Sequence, residues 1–285
     1  MQPNLTKIRK QIQMLKEQTV NLTYEKQIAQ ITQRQNIADI YQLIDYFENN
    51  IDDVNLFKYF YQHYEIQLFA RPSVTIDLIY LRYNQEANQI QVLLKKRQHE
   101  PFKDTWSLYG SFLKENESIN EAVLRQCQAD LGFTVNSNNI IRLPAVSKPG
   151  RDPRMWVITN PNIILLSPRD ANNVKDKWTA LANNFETALP LAFDHQMILE
   201  NCFDYLKADL DHQRLPYIIK LLEHDFTLPV FRNLLSLFDS KFRKQSTSNI
   251  FKLYKNKLIK TGKKQKQAKG SKGGANMLLI TYKDF

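Results

Sequence analysis

The run INEAVLRQCQADL, bracketed by Ser118 and Gly132 and set between two groups of strand-like segments, limits the possible folds more than any other feature of the chain. A serine suits the entry of a helix because its side chain accepts a bond from an otherwise unpaired backbone N–H. A glycine suits the exit because it tolerates a left-handed backbone. Before this helix lie SVTIDLIYLRY and QIQVLLKKR, joined by the polar turn NQEAN, and after it come IIRLPAVS and MWVITNPNIILLS. Strands on both sides of one central helix predict a compact α+β domain that opens after Arg71-Pro72, with its strands ending near Ser167.

The flanks read as helical. In residues 1–70 the apolar spacing of Ile8, Ile12 and Leu15, then Ile37, Ile40, Leu43, Ile44 and Phe47, then Val54, Phe57, Tyr61 and Tyr64, predicts two or three amphipathic helices. Such an extension caps a neighbouring domain or offers a partner surface. The last third carries LAFDHQMILENCFDYLKADL and LPYIIKLLEHDF, then a shorter helical run and a glycine-containing hairpin. No internal repeat is evident. The expected division is 1–70 as a helical extension, 71–190 as the α+β domain, and 191–285 as a linker helix with a C-terminal domain.

With 285 residues, 43% of them hydrophobic, the chain is long enough for two or three cores. No apolar run approaches the roughly 18 residues of a membrane span, and the opening MQPNLTKIRKQIQ is too charged for a secretory signal. A cytoplasmic protein without a membrane partner is the expectation. Cys127 and Cys202 are too few for a disulfide framework or a four-ligand zinc site, and read as buried free thiols.

Charge is unevenly placed. The formal net is +10, but residues 241–285 hold 13 Lys and Arg against one acidic residue, Asp284, which leaves the first 240 positions near −2. A near-neutral body with one cationic end suits a polyanion partner. Thr227 can cap a helix carrying Val230, Phe231, Leu234, Leu235 and Phe238, and a turn at 240–245 then feeds a second helix capped by Ser246 or Thr247. On that second helix Phe251, Tyr254 and Leu258 make the inward stripe. Ser248, Asn249, Lys252, Lys255 and Asn256 are the candidate DNA-reading residues of the outward side. KKQKQAKGSKGG follows, with three of the seven glycines, and suits a flexible hairpin tip that brings Lys263, Lys269 and Lys272 to phosphates. Helix, turn, helix and basic wing describe a winged helix-turn-helix that binds double-stranded DNA.

Cleaving a diphosphate with a metal needs several carboxylates to hold the cation against two mutually repelling phosphates. GSFLKENESINEAVLRQCQADLGF, residues 110–133, keeps Glu117, Arg125, Cys127, Gly132 and Phe133 at the spacing of the Nudix signature, G-x5-E-x7-R-E-U-x-E-E-x-G-U, which it resembles. The departures fall on the chemistry. Positions 126, 129 and 130 share one helical face, and three glutamates there grip the metal in an active member; here they are Gln126, Ala129 and Asp130. Tyr109 and Ser111 replace a proline and a glycine of the preceding loop. The box therefore reads as degenerate, with no catalytic residue and no metal assigned.

SKPGRDPRMWVIT resembles the Arg-Asp-Pro-Arg-Gly stretch of ADP-ribose-recognising Nudix proteins, with Met155 in the place of the glycine. Arg151 and Arg154 offer forked donors to phosphate or ribose oxygens, Asp152 orients them, and Arg97 is a further effector-binding candidate. Together with LAFDHQMIL and the terminal winged helix, the chain resembles, over about 71–285, the Nudix-related transcriptional regulators of NAD metabolism. Beside the helical N-terminal extension read from the spacing of residues 1–70, the resemblance implies a Nudix-like α/β/α sandwich and a winged helix-turn-helix. It implies a cytoplasmic homodimer on a palindromic operator, usually a repressor, that senses ADP-ribose or a related NAD-derived nucleotide and requires no cofactor. In this reading His195 is a helix-start hydrogen-bonding residue. The alternative is a Nudix hydrolase, an ADP-ribose or nucleoside-diphosphate-sugar pyrophosphatase, with weak residual activity around Glu117 and Asp130.

Overall fold

Helix-forming spacing near the N-terminus gives three helices, α1 (Leu5–Arg34), α2 (Ile40–Asn50) and α3 (Val54–His63). The computed structural model describes residues 5–36, 40–63, 71–208, 210, 215–265 and 277–283, and the chain divides into two compact units, Met1–Arg71 and Pro72–Phe285. In the first unit Ile28, Leu43, Phe47, Leu56, Tyr59 and Phe60 form the core, with Phe47 and Phe60 stacked at 4.0 Å between ring centroids. Val54 does not join this stripe and is exposed. It is the first residue of α3, where Asp53 Oδ1 accepts from the N–H groups of Asn55 and Leu56, so its side chain stands on the cap rather than under the helix. Ile37 and Tyr64 lie outside the described residues.

The second unit opens with β1 (Ser73–Asn84), β2 (Gln89–Leu93), the two-residue strands β3 (Lys95–Lys96) and β4 (Trp106–Ser107), and β5 (Tyr109–Phe112). Helix α4 (Ile119–Leu131) follows, then β6 (Ile140–Arg142), β7 (Val157–Leu165), the single turn α5 (Pro168–Ala171) and β8 (Trp178–Ala180). A six-stranded sheet runs β6-β7-β1-β2-β8, with β5 also on β1, and β1 and β7 are its parallel pair. Strand β1 is covered on both faces. Ile76, Leu78 and Tyr80 pack on the α4 side, and Ile79, Leu81 and Tyr83 on the other, which is why its sequence is continuously apolar rather than alternating. The α4 caps form as their residue types require: Ser118 and Glu121 make a reciprocal capping box, and Gly132 ends the helix at φ 79°.

Helix α6 (His195–Lys207) crosses the other face of the sheet, and after it come α7 (Leu215–Ile218), β9 (Phe226–Thr227), α8 (Leu228–Phe238), α9 (Thr247–Leu253) and the hairpin of β10 (Leu258–Gln265) and β11 (Met277–Tyr282). Together α8, a 3₁₀ turn at Ser240–Lys244, α9 and the β10-β11-β9 sheet form a winged helix-turn-helix. One apolar cluster runs without a break from Ile79 and Leu81 of β1, through Ile198, Leu199, Cys202 and Phe203 of α6, to Phe231, Ile250, Tyr254 and Ile280 of the winged helix. Both cysteines are free and buried. Among the described residues, no helix is long and apolar enough to cross a membrane.

Three local expectations differ. LPYIIKLLEHDF is one α turn and one 3₁₀ turn rather than a regular helix, because Leu215, Ile218, Ile219, Leu221 and Leu222 are all buried and such a segment has no polar face to show water. Thr227 stands at the N-cap of α8 without a side-chain cap bond. Helix α9 stops at Leu253, so Lys255 and Asn256 occupy the following turn and Leu258 opens a strand. The N–H groups of Lys257 and Leu258 bond back to Tyr254 O, which closes the turn while Tyr254 and Leu258 remain in the core.

Gly110 packs closely against β1: a Cβ there would lie 2.4 Å from Ile76 O. Gly110→Ala should force β5 away from β1 and lower stability by roughly 1–3 kcal/mol, read from the denaturant midpoint. A wild-type midpoint would show that the strands separate without cost.

Candidate functional site

The surviving box residues are occupied with one another. Glu117 forms a 2.5 Å ion pair with Arg125 Nε, which holds its carboxyl down to about 2. Arg125 also reaches Ser111 Oγ at 3.4 Å, tying α4 to β5. Asp130 accepts from Gln126 Nε2 at 2.7 Å and from the Tyr80 hydroxyl at 2.8 Å. Burial raises the Asp130 carboxyl above its ordinary range, against these two bonds and the nearby Lys95. Ala129 is exposed and has nothing to give. Among the described residues there is no group of three or more His, Cys, Asp or Glu placed to hold a metal. The donor set does not fit a divalent cation, which needs oxygens left open to it.

Beside the box a cleft of about 180 Å³ opens between β1, β3, β5 and the 151–154 loop. It gathers Arg97, Arg151, Asp152 and Arg154, and adds Lys95 and Asp77, which the motifs alone did not single out. Arg151 lies at its floor with a side chain only 6% exposed; Nη2 donates to Asp194 Oδ1 at 2.7 Å and to Asp77 Oδ2 at 3.1 Å, and Nε to Asp194 Oδ2 at 2.9 Å. Arg154 is held by both oxygens of Asp152, at 3.0 and 2.7 Å, and stays partly exposed. Arg97 donates to Pro101 O at 2.7 Å and lies over the Phe193 ring at 4.7 Å, with Arg154 at 5.9 Å from the same ring. Met155 points outward, its sulfur accepting from Ser73 Oγ.

Phe193 and His195 of the LAFDH run line this cleft, and the rest of the run anchors them. Leu191 bridges to Trp106, and Ala192 N–H donates to Trp106 O at 2.8 Å. Phe193 takes a left-handed backbone, φ 57°, that turns its ring under Arg97. Asp194 receives Arg151, and His195 Nδ1 accepts from Leu108 N–H at 3.0 Å. The proton of the neutral imidazole therefore sits on Nε2, 3.7 Å from Asp77 Oδ1. Asp77 was readable in principle, since a carboxylate in the middle of TIDLIYL must find a buried partner.

At the other end, Ser248, Asn249 and Lys252 stand exposed on α9, and Lys255 and Asn256 are exposed in the turn after it. Ser246 caps α9 by accepting from Asn249 N–H. Lys263, on β10, pairs with Asp225 at 2.9 Å while remaining largely in solvent. Lys269, Lys272 and the hairpin tip expected to be flexible lie outside the described residues.

Burial pushes the His195 imidazole below its ordinary 6.5, and the carboxylates of Asp77 and Asp194 only partly offset this against Arg151 and Arg97. As pH falls through about 6.5 the unfolded chain takes up the proton first, so native stability declines from there down to the folded-state pKa. The melting temperature should fall more steeply from pH 7 to about 5.5 in the wild type than in His195→Gln, whose amide oxygen can still accept from Leu108. Parallel pH profiles would rule out this coupling.

No family model matches the chain. It is 30% identical over 141 residues, 50% of this chain and 77% of the other, to an ADP-ribose pyrophosphatase of Methanocaldococcus jannaschii. It is 25% identical over 185 residues, 62% of this chain and 71% of the other, to the ADPR responsive transcriptional repressor NtrR of Acinetobacter baylyi. Among solved structures, Shewanella oneidensis NrtR complexed with a 27mer DNA matches with a TM-score of 0.57 at 26% identity, over 74% of this chain and 93% of that one. With its box spacing, its LAFDH helix and its terminal winged helix, the chain belongs to the Nudix family, among the Nudix-related transcriptional regulators of NAD metabolism.

Proposed function

We propose that this protein is a DNA-binding transcriptional repressor whose Nudix cleft binds ADP-ribose or a related NAD-derived nucleotide and does not hydrolyse it. The observation that carries the reading is the single apolar cluster joining the cleft-bearing sheet, α6 and the winged helix, because a nucleotide held on one end then bears on DNA held at the other. In this reading 71–190 senses, 191–285 reads DNA, and 1–70 is an appended helical unit. Ser248, Asn249 and Lys252 face base edges. Lys255, Asn256, Lys263, Lys269 and Lys272 face phosphates. Arg97 and Arg154 contact the nucleotide, with Asp152 orienting Arg154, and Arg151 holds the floor of the cleft.

Two such winged helices, related by a two-fold axis, suit a palindromic operator, so the working unit is a homodimer in the cytoplasm. The hydrolase reading draws support from the pyrophosphatase relative. Against it stands the engagement of Glu117 and Asp130 with Arg125, Gln126 and Tyr80.

A gel shift on the protein's own promoter fragment, titrated with ADP-ribose while nucleotide breakdown is followed, tests this reading. A specific complex that dissociates with intact ADP-ribose is expected. Lys252→Ala with Lys255→Ala should weaken it and reduce the slope of log affinity against log salt by about 0.9, the one phosphate contact of Lys255. Rapid turnover without any shift would favour the hydrolase.

A further inference from the structure

The cations around the cleft are not equivalent. Arg151 is spent on Asp194 and Asp77, and Arg154 on Asp152. Arg97 donates to backbone carbonyls and lies on Phe193. Lys95 and Lys96 alternate on β3, as strand neighbours must. Lys96 turns outward to a 3.4 Å ion pair with Asp104, whereas Lys95 turns inward, into the cleft, with its ammonium 5.1 Å from the centre of the Tyr109 ring. Among the described residues the Lys95 ammonium has no hydrogen bond and no ion pair. Two carboxylates act on it only from beyond ion-pair distance: Asp130, at a metal-ligand position of the box, and Asp77, in the cleft. Its charge thus stands between the box and the nucleotide cleft. Burial lowers its pKa more than these carboxylates restore it.

A half-buried cation with neither a hydrogen bond nor an ion pair among the described residues is costly to the free protein. The cost is offset if a ligand supplies the missing negative charge. We propose that Lys95 replaces the divalent cation of a Nudix hydrolase, its ammonium binding the diphosphate of the nucleotide directly, so that this site holds a nucleoside diphosphate with no metal ion. The inference rests on the nucleotide-sensing reading above and adds how the phosphates are held. An ammonium is suited to this because it is a compact point charge with three donors. It neutralises phosphate as a metal would, but it carries no activatable water, so it grips the diphosphate without supplying the nucleophile.

Calorimetric titration of ADP-ribose into the full chain, in EDTA and then in magnesium, decides the matter. Wild-type affinity should agree within about twofold between the two conditions. Lys95→Gln should weaken binding roughly 10- to 100-fold, as expected for a lost charge-assisted contact, and Lys95→Arg should retain more of it. Melting curves of the ligand-free variants establish that they fold, and the wild-type comparison stands without them. Magnesium-dependent wild-type binding, or unchanged affinity in a folded Lys95→Gln, would overturn the role of Lys95 while leaving nucleotide sensing intact. Absence of wild-type binding in both buffers would remove the sensing reading and this inference with it.

Discussion

The ion network of Asp77, Arg151 and Asp194 fixes how the two halves of the larger unit meet. Asp77 comes from the middle of β1, Arg151 from the loop before β7, and Asp194 from the N-cap position just before α6. Each group is nearly sealed from water, so the charges can exist only together: removing one leaves the others desolvated and unpaired, at a cost of several kcal/mol. Such a network is a poor source of net stability but a strict one of geometry. The α6 N-terminus meets β1 at one place, with His195 closing the arrangement by accepting from Leu108. The left-handed backbone of Phe193 persists within the same constraint.

From that fixed start, α6 carries the sheet's core into the winged helix. Ile198, Leu199, Cys202 and Phe203 belong to the apolar cluster that includes both, and Phe203 stacks with Phe238 of α8. Close-packed interiors shift between discrete arrangements rather than deforming smoothly. A nucleotide that draws Arg97 or Arg154 toward its phosphates also bears on Phe193, one residue before Asp194. In the proposed function, coupling needs only that the bound nucleotide prefer one seating of this helix over another.

The sheet, the α4 caps and the winged helix were legible because each rests on local chemistry: strand runs, a serine and a glycine at helix ends, amphipathic spacing before a basic tail. The short strands β4, β5 and β8 were not, since two to four residues carry no periodicity and are strands only because β1, β2 and β3 are there to pair with them. The candidate site divides the same way. Arg151, Asp152 and Arg154 were visible as a motif, but not that Arg151 is consumed by Asp194, 43 residues away. Lys95 and Lys96 are identical as letters. Which one faces the cleft is decided by the register of β3 on β4, a tertiary fact.

In the proposed function, a degenerate box that loses catalysis need not lose the ligand. A metal-holding cluster of carboxylates repels diphosphate whenever the cation is absent, so an active hydrolase binds its substrate through the metal. With Gln126 and Ala129 in place of two glutamates, and Asp130 bonded to Tyr80 and Gln126, that repulsion is largely gone from this face. Fewer acidic groups remain to oppose a phosphate, and a lysine already stands in the opening. In the proposed function, substitutions that remove the nucleophile's activation also remove the need for a metal counter-charge, and a sensor would benefit from both: its occupancy would follow the nucleotide alone, and it would not consume what it measures.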